Sequence, residues 1–129
     1  MVKHSSMQTI LAAGALLLAI GCEYHARSPE DYRGVTRELI QTRTGQIQTC
    51  YDTVLKSNKE ASGSVTVHFF VQEDTGAFQN IEALPSSTAP EPLQQCVVTA
   101  LEGLVLAPPD ARKGDATFSF DFAAGKTKS

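Results

Sequence analysis

Three side-chain types in this chain could do chemistry: the thiols of Cys22, Cys50 and Cys96, the hydroxyls of Ser86 and Ser87, and the imidazole of His68. A serine hydrolase presents its nucleophile on a sharp strand-to-helix turn, and the sequence holds no Gly-x-Ser-x-Gly elbow. Ser86 and Ser87 stand between Pro85 and Pro90, where turn chemistry accounts for them. His68 interrupts an alternating apolar run on the face opposite Val67 and Phe69, which predicts a half-exposed sheet histidine. Glu73, Asp74 and Glu82 lack the spacing of a calcium loop. Neither Gly63 nor Gly76 lies between a strand and a helix start, where a phosphate cradle would need it. The sequence therefore predicts no catalytic residue, no cofactor and no metal site.

Cys22 takes its meaning from what precedes it. Lys3 and a polar stretch lead into the apolar run 10–20, which ends in Ala19-Ile20-Gly21-Cys22. A charged start, a short apolar run and small residues at the exit describe a secretory signal. A membrane span would need roughly 20 apolar residues. The segment resembles a bacterial lipoprotein lipobox, which implies cleavage before Cys22 and lipid on its sulfur. Residues 1–21 are then the signal peptide, and the lipoprotein pathway supplies the several acyl chains that stable anchoring requires. Glu23 follows, and it is not the aspartate associated with inner-membrane retention, so the outer membrane is the expected destination.

Export leaves Cys50 and Cys96 in a compartment where disulfides persist, and two thiols allow a single pairing. A metal or redox site is the alternative, although the chain has no Cys-x-x-Cys. The formal net charge of −3 contains no block of lysine and arginine, which makes nucleic acid and anionic headgroups poor partners. Nothing points to a small-molecule substrate. Length allows one small domain. It is read here as a lipidated tether over 22–33, a fold over 34–124 and a flexible tail over 125–129.

The elements that must position these groups follow from periodicity. Leu39, Ile40, Ile47, Cys50, Tyr51, Val54 and Leu55 recur at helical steps and predict a helix over Tyr32 to Leu55. Val65, Val67, Phe69 and Val71 share one face of a strand, and Glu73-Asp74-Thr75-Gly76 makes a hairpin turn. On the return strand, Ala77 to Leu84, Phe78 and Ile81 have opposite parity and call for a bulge. A second helix begins near Pro92, carries Leu93, Cys96, Val97, Ala100, Leu101 and Leu104, and ends at Gly103. After Pro108-Pro109, the stretch Ala116 to Phe122 alternates cleanly, with three phenylalanines on one face. The expected fold is α+β, a small α-β-β-α-β domain whose three-stranded antiparallel sheet carries two helices on one face. Cys50 and Cys96 lie in the apolar stripes of the two helices, so packing them side by side would let the sulfurs meet.

Taken in order, these marks resemble a TonB/TolA-type C-terminal domain, in the myxobacterial variant called the AgmX/PglI C-terminal type. The residues that carry the resemblance are Cys50-Tyr51, the run 63–69, Gly76, Ser86-Ser87, Cys96-Val97, the run 106–109 and the closing 118–122. The resemblance implies a cysteine pair between helices and a non-enzymatic periplasmic role in envelope machinery.

Two surfaces are candidates for partner contact. Phe70, with Thr66, His68 and Gln72, is expected on the sheet face away from the helices. The last strand should lie at an edge, where Thr117, Phe118, Ser119, Phe120 and Asp121 could accept an extended protein segment by strand addition. The expected function is a lipid-anchored, periplasm-facing binding or scaffolding module. The alternatives are a purely structural envelope lipoprotein and, more remotely, a small periplasmic hydrolase.

Overall fold

Ser28 starts the first helix: its hydroxyl accepts the Asp31 N–H at 3.1 Å, and Pro29 fills the first helical position, where no N–H is needed. The computed structural model describes residues 26–123 and 126–128; the signal segment and Cys22 lie outside the described residues. Helix α1 (Pro29–Gln41) places Glu30 and Asp31 in its first turn, where the helix dipole favours them, and buries Thr36 and Ile40.

The single helix expected over Tyr32 to Leu55 is two. After Gln41 the chain turns at Thr42-Arg43, and α2 (Thr44–Ser57) begins in a new direction. Hydroxyls of Thr42 and Thr44 donate back to the carbonyls of Leu39 and Gln41, at 2.6 and 2.8 Å. The Arg43 guanidinium donates to the carbonyls of Ala100 (2.7 Å) and Glu102 (3.2 Å), at the far end of another helix. Gly45 lies inside α2 and plays no part in the break.

Helix α2 buries Ile47, Cys50 and Tyr51, and the Tyr51 hydroxyl donates to the Ala61 carbonyl at 2.6 Å. Strand β1 (Gly63–Val71) follows, its Val65, Val67, Phe69 and Val71 wholly buried and the intervening residues half exposed. Each such side chain contributes roughly 1.5–3 kcal/mol by leaving water, so a one-residue slip of register is heavily penalised. Strand β2 (Phe78–Ala83) pairs antiparallel to β1 with a shift between His68 and Phe70, opposite Glu82 and Gln79. The extra residue of that bulge includes Asn80, whose φ of 55° suits an asparagine. The parity change read from Phe78 and Ile81 is this bulge.

The connecting turn closes with Gln72 N–H to the Ala77 carbonyl and Gly76 N–H to the Gln72 carbonyl, both 2.9 Å. Gly76 has φ of 76°, and a Cβ there would collide with the backbone carbonyl of Leu106, whose own N–H donates to the Gly76 carbonyl at 2.7 Å. A Gly76→Ala variant combines a strained φ with that collision, and it is expected to lose about 2 kcal/mol. Its urea midpoint would show this as a clear fall, whereas Gly34→Ala, in open space on α1, should not lower it.

Helix α3 (Glu91–Leu101) starts with Pro92 in its first turn and buries Leu93, Val97, Ala100 and Leu101. It packs beside α2, and the Cys50–Cys96 disulfide joins the two with Cα atoms 5.7 Å apart. Strand β3 (Gly114–Ala123) pairs antiparallel to β1 along its whole length, from Gly63 opposite Phe122 to Val71 opposite Gly114. Its Phe122 ring packs on Tyr51 at 5.1 Å, and Phe69 stacks between Phe78 and Phe118. The fold is therefore α+β, with a β2-β1-β3 antiparallel sheet and helices over one face. A short β4 (Lys126–Lys128), where the sequence suggested a loose tail, pairs with Asp121–Ala123 and extends the order to β2-β1-β3-β4. Among the described residues no helix is long and apolar enough to cross a membrane.

Candidate functional site

The alternation of β1 decides which peptide groups of β3 are left open. Ser64 and Thr66 face the β2 side: Thr66 O accepts from Leu84 N–H at 2.7 Å, and Ser64 O accepts from Thr88 N–H at 2.9 Å. Their own N–H groups donate to Ser87 Oγ and Thr88 Oγ1, at 2.9 and 2.8 Å. Val65, Val67, Phe69 and Val71 must then bond toward β3, where they oppose Phe120, Phe118, Ala116 and Gly114. Along β3 the remaining positions, Asp115, Thr117, Ser119 and Asp121, turn their N–H and C=O groups outward. Lys128 of β4 stands opposite Asp121. The outward groups of Asp115, Thr117 and Ser119 meet no backbone partner among the described residues. The open stretch is thus shorter at its far end than the Thr117 to Phe122 edge read from the sequence.

This edge forms one side of a groove of about 780 Å³ whose other wall is α1. Helix and strand run in the same direction: Tyr32 meets Gly114, and the Arg37 guanidinium carbon lies 5.8 Å from the Phe118 ring centre. Gly114 is required at the first contact, because a Cβ there would come within 2.6 Å of the Tyr32 hydroxyl oxygen. That hydroxyl donates to the Arg112 carbonyl at 3.3 Å. Burial, aided by the Asp110 carboxylate, holds the Tyr32 phenol above its ordinary value, so it remains a neutral donor. Half-buried Phe118 and buried Phe120 supply the apolar part of the lining. Arg33, Arg37, Arg112 and Lys113 border it, and Asp115 is the one acid among the lining residues. None of the four cations has a carboxylate within 4 Å among the described residues.

The residues singled out from sequence divide between two faces. Thr117, Phe118, Ser119 and Phe120 line the groove, whereas Phe70 and Asp121 do not. Phe70 stands on the opposite face of the sheet, edge-on to His68 at 4.9 Å and beneath the Lys113 ammonium at 4.3 Å. On that face His68 Nε2 lies 2.6 Å from Asp115 Oδ1, and the Thr66 and Ser119 hydroxyls meet at 2.7 Å. Ser87 Oγ is occupied with both backbone groups of Thr66, which makes it a clasp for the loop after β2. Among the described residues no three His, Cys, Asp or Glu side chains gather as a metal set.

Sequence reasoning missed the α1 wall. Its signal was the pair Arg33 and Arg37, one helical turn apart, which a single long helix would have carried elsewhere. It also missed the clamp beneath the groove. The Asp110 carboxylate, buried, accepts N–H groups of Arg27 (2.8 Å) and Arg112 (2.9 Å), and the Arg27 guanidinium at 3.3 Å. A second guanidinium nitrogen of Arg27 donates to the Pro108 carbonyl at 2.9 Å. Burial alone would raise the Asp110 carboxyl, but those two amides and the guanidinium together hold it below its ordinary value. The clamp fixes both the start of α1 and the approach to β3, and so the mouth of the groove.

Compared with known proteins, the chain matches no family, no curated protein and no solved structure.

Proposed function

We propose that this chain is a non-enzymatic, lipid-anchored envelope protein that captures an extended protein segment by adding it as a strand to β3. The observation that carries this reading is the row of outward peptide groups at Asp115, Thr117 and Ser119, open to a groove large enough for a peptide. An edge of that kind pairs readily with another chain unless something covers it. The lipobox resemblance at Gly21-Cys22 supports attachment through lipid on Cys22, facing the periplasm and on the outer membrane in preference to the inner. The Cys50–Cys96 bridge supports an oxidising compartment. The likeness to TonB/TolA-type C-terminal domains belongs to the same proposal and supports a role in envelope machinery.

Proline substitution tests the edge cleanly. Thr117 turns its N–H away from β1, so Thr117→Pro removes an outward donor while sparing the β1–β3 ladder. In cross-linking against envelope extract, the wild type and Thr117→Val should capture the same segment, with slowed exchange of the Thr117 and Ser119 amides. Thr117→Pro should lose that capture and stay folded. Retained capture in the proline variant would refute strand addition. Mass spectrometry of the mature protein should show acyl chains on Cys22, and an intact Met1 would refute the anchor.

A further inference from the structure

We infer that the segment taken by this groove is acidic, with carboxylates at alternate positions read by Arg33 and Arg37 of α1; this rests on the strand-addition reading above. Arg33 and Arg37 both line the groove and both are exposed, one turn apart on the same helix. Their Cβ atoms are therefore about 5–6 Å apart. In a strand laid against β3, every second side chain points to the face that α1 covers, and such side chains recur at about 6.6 Å. The two spacings match, so residues i and i+2 of the guest can each meet one guanidinium.

Charge points the same way. The chain as a whole is at −3, yet four of its 11 lysines and arginines border this one groove without a carboxylate partner among the described residues. The single acid of the lining, Asp115, is engaged by His68 on the other face of the sheet, which removes it from the path of an incoming carboxylate. Tyr32 and Gly114 close the strand's beginning, and β4 stands over its end, so the length left for a guest is the stretch Asp115 to Ser119. Two carboxylates within about five residues are what that length admits.

Three nine-residue peptides test this on the intact chain, alternating valine with glutamate, glutamine or lysine. The glutamate peptide should slow exchange of the Thr117 and Ser119 amides. It should bind roughly tenfold tighter than the glutamine peptide at low salt, as expected for two exposed ion pairs, and the gap should close with added salt. Arg33→Gln/Arg37→Gln should abolish the glutamate preference with the melting temperature unchanged, because both side chains are exposed. Equal binding of the glutamate and glutamine peptides, with the amides still protected, would overturn the acidic reading and leave strand addition standing. Glutamate binding without amide protection would overturn both. Protection by phosphatidylglycerol vesicles but by none of the peptides would also overturn the inference, in favour of a bilayer as the anionic partner.

Discussion

Opening the Cys50–Cys96 bridge is expected to lower the stability of this fold by about 4 kcal/mol, the loop-closure value for the 46 residues between them. The loop contains β1, β2 and their turn, so its release gives the unfolded chain freedom that the sheet must then overcome. Small domains hold only about 5–15 kcal/mol in total. Loss of a third or more would bring the protein near its threshold at 37 °C. The Cys50→Ala/Cys96→Ala variant and the reduced wild type should shift to similar, lower urea midpoints. Agreement between them matters, since Cys50 is buried and its truncation adds a small packing loss. A change under 1 kcal/mol in both would mean that α2 and α3 hold their contact without covalent help.

Removal of the Asp110 charge should cost about 3 kcal/mol at neutral pH, from the loss of charge-assisted bonds to buried donors. In Asp110→Asn one side-chain oxygen still accepts an amide, but the new NH₂ group faces the N–H of either Arg27 or Arg112, donor against donor. The pH dependence has a definite sign. The folded carboxyl titrates below its ordinary value near 3.8, so its contribution is complete above that pH and disappears as pH falls through the lower, folded value. The stability gap between wild type and Asp110→Asn should therefore hold from pH 7 down to about 5 and narrow below about 4. A gap that stays constant from pH 7 to 2 would show that the cost is one of shape and not of charge. The groove should widen at its mouth in the same variant, because the clamp sets the positions of Ser28 and Arg112.

The strands were easy to see in the sequence because one face of the sheet is buried. Val65, Val67, Phe69 and Val71 can alternate only one way, and Gly76 and the Phe78/Ile81 parity mark the turn and bulge beside them. The break between α1 and α2 was hidden for the opposite reason. Apolar spacing continues through Leu39, Ile40 and Ile47, and none of Thr42, Arg43 and Thr44 is a helix breaker by itself. The break depends on Arg43 reaching carbonyls of α3 that lie 57 and 59 positions away, a contact that no local window contains. The same limit applied to the site. That the last strand should be an edge followed from β1 being central. The helix that walls it did not, so Phe70 entered the candidate list although it sits across the sheet from the groove. Arg27 looked like linker, and only its partner Asp110, 83 residues on, makes it part of the fold.

That partner has a consequence for reach. From Cys22 to Arg27 there are five residue steps, which at full stretch cover no more than about 17 Å. A folded chain of roughly 100 residues has a radius of gyration near 13 Å. For a protein held in a bilayer at Cys22, the leash is thus barely longer than the body it restrains, and the corner bearing Asp110 stays turned toward the headgroups. Only cargo that comes down to the membrane surface would be within range.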